Sequence, residues 1–445
     1  MKRLFYTLLF FLPCMLIACG GSDDTPDGDN NPPVVAPPSE EPVDSRLLYN
    51  GIRLPEQWPP VRSSSSELEK GMSPFYLSDK PSVINISVGR QLFVDNFLIE
   101  STNLKRTFYY PEYYSGNPIL TPEQDWEKTG TKGAAFAAPF SDGVWYDEKE
   151  GKYKMWYMAG GGSYATSGAG VTCYAESTDG IHWTKPTLSV VAGTNIVDYN
   201  SERDASVIWL DKQESNASKR YKMFLVARES GKWRYHYKTS PDGKVWRAAV
   251  QSEAIADRST VYKNPFRNVW VYSMRHNVRV DANKLVRARD YNENADPEAG
   301  TKKAEALLSA FWFGPWANEQ HHTDYPNIAP AIYNQDATPY ESIMLGFFSV
   351  WQGPENDVCA SDNVIKRNQV MVGYSRDGYS WFREDMNPFH AVNTTTSDAW
   401  NQGNLQSVAG APLIVGDKLY FYLSGRRLSC LLYTSPSPRD STSSR

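Results

Sequence analysis

The sequence predicts an all-β chain: a five-bladed β-propeller of four-stranded antiparallel blades with the last blade truncated. Three observations predict it. The tag Asp-Gly-x-x-Trp occurs in Ser177–Trp183, Ser240–Trp246 and Ser375–Trp381, with the second interval about twice the first, so one unit repeats and one copy has lost its tag. A second pattern, Lys152-Tyr-Lys-Met-Trp-Tyr157, returns as Arg220–Leu225 and more loosely as Val269–Tyr272, Ser342–Leu345 and Leu419–Tyr422. No useful helical periodicity follows residue 110, apart from a short helix expected at Lys302–Ser309.

The elements follow in chain order. Lys2 and Arg3 precede an apolar run from Leu4 to Ile17, too short to span a bilayer comfortably, and the run ends in Leu16-Ile17-Ala18-Cys19. That ending resembles the lipobox of bacterial lipoproteins, in which Cys19 is acylated, and Gly20-Gly-Ser-Asp-Asp24 is similar to surface-export signals of Bacteroidota lipoproteins. Residues 20–45 are rich in Pro, Asp, Asn, Glu and Ser and read as a solvated tether. The expectation is an exported protein held at the outer membrane and cell surface by a lipid anchor alone.

Residues 46–135 form an N-terminal extension whose Arg90–Glu100 stretch alternates like a strand, and Leu92–Ile99 is expected to help close the ring. Blades are expected at about 136–190, 202–250, 256–315, 325–390 and 402–429. Within each unit a first apolar strand and a polar turn precede the Lys-Tyr-Lys-Met-Trp-like strand, and radial closure hides the sheet edges. Asp-Gly suits a tight hairpin turn, and the Trp supplies apolar area to bury. Residues 430–445 begin Cys430-Leu-Leu-Tyr-Thr-Ser-Pro-Ser-Pro-Arg-Asp440, which is what a transposase sequencing adapter encodes when read through. The natural sequence is therefore expected to stop near Ser429, leaving the fifth blade with its inner strands only.

Composition narrows the function. A net charge of −5 without a basic run points away from nucleic acid. Fourteen Trp and 27 Tyr stock strands and cores first, and leave some rings for stacking on sugar faces. With Cys14 in the leader, Cys19 lipidated and Cys430 in the adapter, only Cys173 and Cys359 remain, either paired or as buried thiols. Gly160–Gly170 lacks the Lys-Ser/Thr of a phosphate loop, His321-His322 lacks a zinc frame, and no Gly-x-Ser-x-Gly elbow occurs. No cofactor is expected, a structural calcium ion in the channel being the one allowance.

Chemistry is expected where first strands begin, at one mouth of the channel. Asp204-Ala-Ser206 and Asp257-Arg-Ser259 match in register, and Asp142 falls on the same side of its strand in the first unit. Three carboxylates from neighbouring blades would then converge. Glycosidic cleavage needs such a set, with one carboxyl to donate a proton and another to attack or activate water. Arg203 and Arg258 flank the matched aspartates, and Arg275, His276, Glu229, Trp351 and Arg426 follow second strands and should rim the mouth. Asp147, Asp211, Asp336 and Glu341 read as turn residues.

These blade starts resemble the five-bladed glycoside hydrolases of families 32, 43 and 68. Gln91–Glu100, Asn117-Pro-Ile-Leu120 and Lys152–Tyr157 are similar to bacterial proteins labelled family 32-like or 43-like. The expected activity is a glycosidase on a plant or algal carbohydrate, exo-acting because a propeller mouth is a pocket more readily than a long cleft. The resemblance implies Asp142 as base or nucleophile, Asp204 as pKa modulator or transition-state stabiliser and Asp257 as general acid. It departs where those families carry Glu, here Asp257, and where family 32 carries an Asn-Asp-Pro-Asn-Gly box, absent here. Asp95 is the reserve candidate for the first carboxylate. The alternative is a non-catalytic glycan-binding lipoprotein using the same mouth.

Overall fold

The computed structural model describes residues 44–425, apart from 129–134, 166–169, 281–283, 307, 363 and 395–398. Cys19, the tether up to residue 43, Arg426 and the segment 430–445 lie outside the described residues. Strands make up most of the regular structure, and the described chain is all-β. One sheet comprises β1 (Ala137–Ala138), β2 (Val144–Asp147), β3 (Lys152–Ala159), β4 (Gly170–Ser177), β5 (Ile196–Leu210), β6 (Tyr221–Glu229), β7 (Lys232–Ser240) and β8 (Arg247–Gln251). A second joins β9 (Thr260–Asn264), β10 (Val269–Arg279), β11 (Leu285–Asn294) and β12 (Ala310–Phe313). A third joins β13 (Ala331–Tyr340), β14 (Ile343–Gly353) and β15 (Arg367–Ser375), and a fourth pairs β16 (Leu405–Val415) with β17 (Lys418–Gly425).

The strands β2, β5, β9, β13 and β16 contact one another in that order, and β16 returns to β2. This cyclic contact of first strands is propeller-like, but the sheets are unequal. The first boundary also departs from expectation. β5 does not start afresh near residue 202; its first part pairs with β4 (Cys173↔Ile196, Gly170↔Arg203) and its second with β6 (Ser206↔Leu225, Leu210↔Tyr221). A bulge between Arg203 and Ser206 lets one strand serve both neighbours. The pairing of Asp198 and Arg203 with β4 leaves no mark in the local composition of that polar run.

The three tagged turns share one hydrogen-bond pattern. Ser177 Oγ accepts from Gly180 N at 2.9 Å, while Asp179 Oδ1 accepts from the amides of Ile181 and His182. Ser240 with Asp242 and Ser375 with Asp377 repeat it. Each turn also receives a bond from the preceding sheet segment. Trp156 Nε1 in β3 donates to Gly243 O at 2.6 Å, Tyr262 Oη in β9 to Gly378 O at 3.1 Å, and Tyr422 Oη in β17 to Gly180 O at 2.7 Å. The last of these closes the ring. Trp156 and Tyr422 hold the same place in the second-strand pattern, and β6 has Phe224 there, which has no donor. The next segment carries no tag.

Two expectations are corrected here. Residues 92–99 are not a strand; they run as irregular chain and turns. Asp95 is instead fully buried in an ion pair with Arg376, with Nε at 3.0 and 2.9 Å from its two oxygens, next to Phe97. That contact pins the N-terminal extension beneath the third tagged turn and removes Asp95 from the mouth. The short helix lies at Pro297–Lys303, not Lys302–Ser309: Asp296 caps it by accepting from Ala299 N, and Pro297 pre-sets its first turn.

Turn and ring closure make a stability prediction. Gly180 has φ +73°, and a Cβ there would sit 2.9 Å from Tyr422 Oη. Gly180→Ala should therefore destabilise the protein by about 1–3 kcal/mol. Tyr422→Phe should cost about 1–3 kcal/mol by leaving the Gly180 carbonyl unsatisfied. Chemical denaturation would measure both, and because the two changes strike one contact their effects should be less than additive.

Candidate active site at one end of the channel

The first-strand starts do come together, as a stair of ion pairs. Asp142, fully buried after the turn closed by Asp142 N on Pro139 O, receives Arg203 Nη2 at 2.8 and 2.9 Å from its two oxygens. Its neighbour Asp204 accepts from Arg258 N at 2.7 Å and meets Arg258 Nη2 at 3.1 Å. Asp257, adjoining Arg258, is in ion contact with Arg275. Each arginine next to one aspartate thus reaches a carboxylate from the neighbouring strand. Sequence adjacency of Arg203-Asp204 and Asp257-Arg258 builds the stair.

Burial pushes the Asp142 carboxyl up to about 6, against the opposing pull of Arg203. The backbone around it is strained. Phe140, Arg258 and Ser407 have φ of 43°, 55° and 59°, left-handed values that L side chains seldom adopt. All three lie where first strands enter the mouth, and strain of this kind gathers at functional sites.

The remaining expected rim residues are distributed differently. Arg203, Arg258 and Arg275 are buried in the stair rather than free to clamp a ligand. His276 is half-buried and bonds Asp290 at 2.9 Å. Glu229 is exposed at the end of β6, paired in register with Lys232. Trp351 is covered, packed with Tyr333, Val286 and Phe311. Asp147 is a buried hub between β2 and β6. Burial opposes its charge, but bonds from Arg220, Tyr221 and Lys154 outweigh that and hold its carboxyl well below the usual range. Asp211 meets Lys222 at 3.0 Å, and Glu341 binds Arg90, so both are the turn residues expected. Cys173 and Cys359 are separate buried thiols. His321 and His322 occupy a loop, bonded to Pro326 O and Asp324 N.

Asp336 overturns its reading as a turn residue. It stands within β13, buried in the channel, where Oδ2 accepts from Val408 N at 3.0 Å and Asn334 Nδ2 at 3.1 Å. It lines a cavity of about 20 Å³ with Ser141, Trp145 and Trp209, room for one water. Burial raises its carboxyl to about 6, with bonds from Ser141, Val408 N and Asn334 pulling the other way. One signal could have found it: Asn334 two positions before it, on the same face of the strand. A cavity of about 1510 Å³ lies between residues 111–122 and the edge of β17. It lies beside the two-stranded sheet and reaches Pro139 and Phe140, just before Asp142.

No family model and no curated protein matches the chain. Among solved structures it is similar to a glycosyl hydrolase from Bacteroides ovatus, at 10% identity over 72% of this chain and 92% of that one, with a TM-score of 0.40. A structure from the GH130 family of mannoside phosphorylases, described as containing glycoside hydrolases that target β-1,2 mannosidic linkages in Candida mannan, shares 12% identity over 74% and 95%, TM-score 0.39. A fructofuranosidase from Schwanniomyces occidentalis shares 11% over 69% and 62%, TM-score 0.38. Likeness this slight transfers neither a substrate nor a catalytic residue.

Asp336 gives a pH prediction. Its folded pKa of about 6 lies above the ordinary 3.8, so the folded state holds the proton more tightly. Its contribution to stability is fully present below about pH 4 and is lost as pH rises through 6. Asp336→Asn keeps an acceptor for Val408 N and removes the buried charge. It should stabilise the protein at pH 8 by on the order of 1–3 kcal/mol and change little at pH 4. Urea titrations at the two pH values would check the sign.

Proposed function

We propose that the chain is a glycoside hydrolase acting at the mouth formed by Asp142, Asp204 and Asp257. The observation that carries this reading is the convergence of three carboxylates from successive strands, one of them, Asp142, pushed up to about 6 by burial. A carboxyl that changes protonation near neutral pH is suited to proton transfer, and a second beside it can serve the opposite face of a scissile bond. In this reading Asp142 is the base, Asp257 the second carboxylate, and Asp204 orients Arg258 between them. The fold is read as a five-bladed propeller of four-stranded blades. The protein is read as exported and held at the cell surface through acylated Cys19, with a glycan as its only ligand class.

The test is hydrolysis of aryl glycosides and plant and algal oligosaccharides by the full chain. With Asp142 as base, kcat/KM should rise as pH increases through about 6. Asp142→Asn should lower it by about 10²–10⁴ and flatten that limb, and Asp257→Asn should lower it comparably. Full activity in both variants would refute the assignment. Tight glycan binding without product in the unaltered protein would replace the enzyme with a glycan-binding module.

A further inference from the structure

The mouth contains a group that the stair of ion pairs does not use. Tyr333 on β13 lies between two guanidiniums, Arg258 at 5.4 Å and Arg287 at 4.7 Å from its ring centre. Lys366, just before β15, is only 5% exposed and forms no hydrogen bond or ion pair with another described residue. Its charge acts on the same phenol.

The groups facing this spot come from every neighbouring element. They are Asp204 on β5, Asp257 and Arg258 before β9, Arg275 on β10, Arg287 on β11 and Lys366, with Glu355 acting on Arg287. Four cations face three carboxylates, and Lys366 is the surplus. The phenol reports the result. Complete burial would raise its pKa, yet the pull of Arg258, Arg287 and Lys366 prevails and the pKa is lowered. A buried ammonium without a counter-ion is costly, and a ligand that brings one removes the cost.

We propose that this mouth receives an acidic sugar, whose carboxylate or sulfate takes the counter-ion position at Lys366, beside Arg258, Arg287 and Tyr333. That the ligand is a glycan rests on the hydrolase reading above. The preference for negative charge rests on Lys366 and its neighbours alone.

Calorimetric titration of the full chain with digalacturonate, galactose 6-sulfate and neutral galactobiose tests it. At least one acidic sugar should bind ten-fold or more tighter than galactobiose, and which one does so tells carboxylate from sulfate. Lys366→Met should erase the difference while leaving Tm equal or higher, because it removes an unpaired buried charge. Equal affinities, no binding by any of the three, a preference that survives Lys366→Met, or a fall in Tm would each overturn the inference. The two readings fail separately. Cleavage of neutral glycosides without a preference for acidic ones sinks this inference and leaves the hydrolase standing. Lys366-dependent binding of an acidic sugar with no turnover of any glycoside does the reverse.

Discussion

The bond from an aromatic side chain to the glycine carbonyl of the neighbouring Asp-Gly turn is the contact on which the ring depends. It joins β3 to the turn after β7, β9 to the turn after β15, and β17 to the turn after β4. The serine and aspartate of each turn are consumed in shaping it, so the turn presents its carbonyl outward in a fixed direction. Glycine is required twice over, for its positive φ and because a Cβ would meet the donor side chain at Gly180 and Gly243 and the Asn264 amide at Gly378. Where the donor is missing, at Phe224, the tag is missing too. In its place Phe224 packs on Trp270 and Tyr272, and Tyr272 bonds Pro297 O at the start of the short helix.

At the other end of the first strands the constraint is charge. Three aspartates brought side by side in a low-dielectric mouth cannot be left uncompensated, and the arginines that compensate them come from the neighbouring strand each time. The pairing ties β2 to β5, β5 to the lead-in of β9, and that lead-in to β10. Order at the mouth and order of the ring are thus coupled: shifting β5 by one residue at its bulge would separate Arg203 from Asp142 and Asp204 from Arg258 together. Of the strained residues, Arg258 is part of the stair itself, whereas Phe140 N is held by Ser424 Oγ and Ser407 N by Ser349 Oγ.

Binding charge and holding charge are divided among the strands. β2, β5 and the start of β9 supply carboxylates, whereas β11 and the approach to β15 supply cations that lie around Tyr333. Asp336, deeper in the channel beside a water-sized cavity, belongs to neither set and holds β13 to the β16 backbone through Val408.

Local pattern alone marked many of the strands, the tagged turns and the matched aspartates at the strand starts, because period-two alternation and Asp-Gly chemistry are properties of a few consecutive residues. It also placed Asp142, Asp204 and Asp257 in one neighbourhood, through register between similar units. Only the tertiary structure decided that Asp95 serves Arg376, 281 residues away, rather than the mouth. The same holds for the continuation of β5 across two units, the channel position of Asp336, and the gathering of Tyr333, Arg287 and Lys366. The reason is physical. Those roles are set by burial and by the charge of partners distant along the chain, and neither leaves a mark on the residues beside them in sequence.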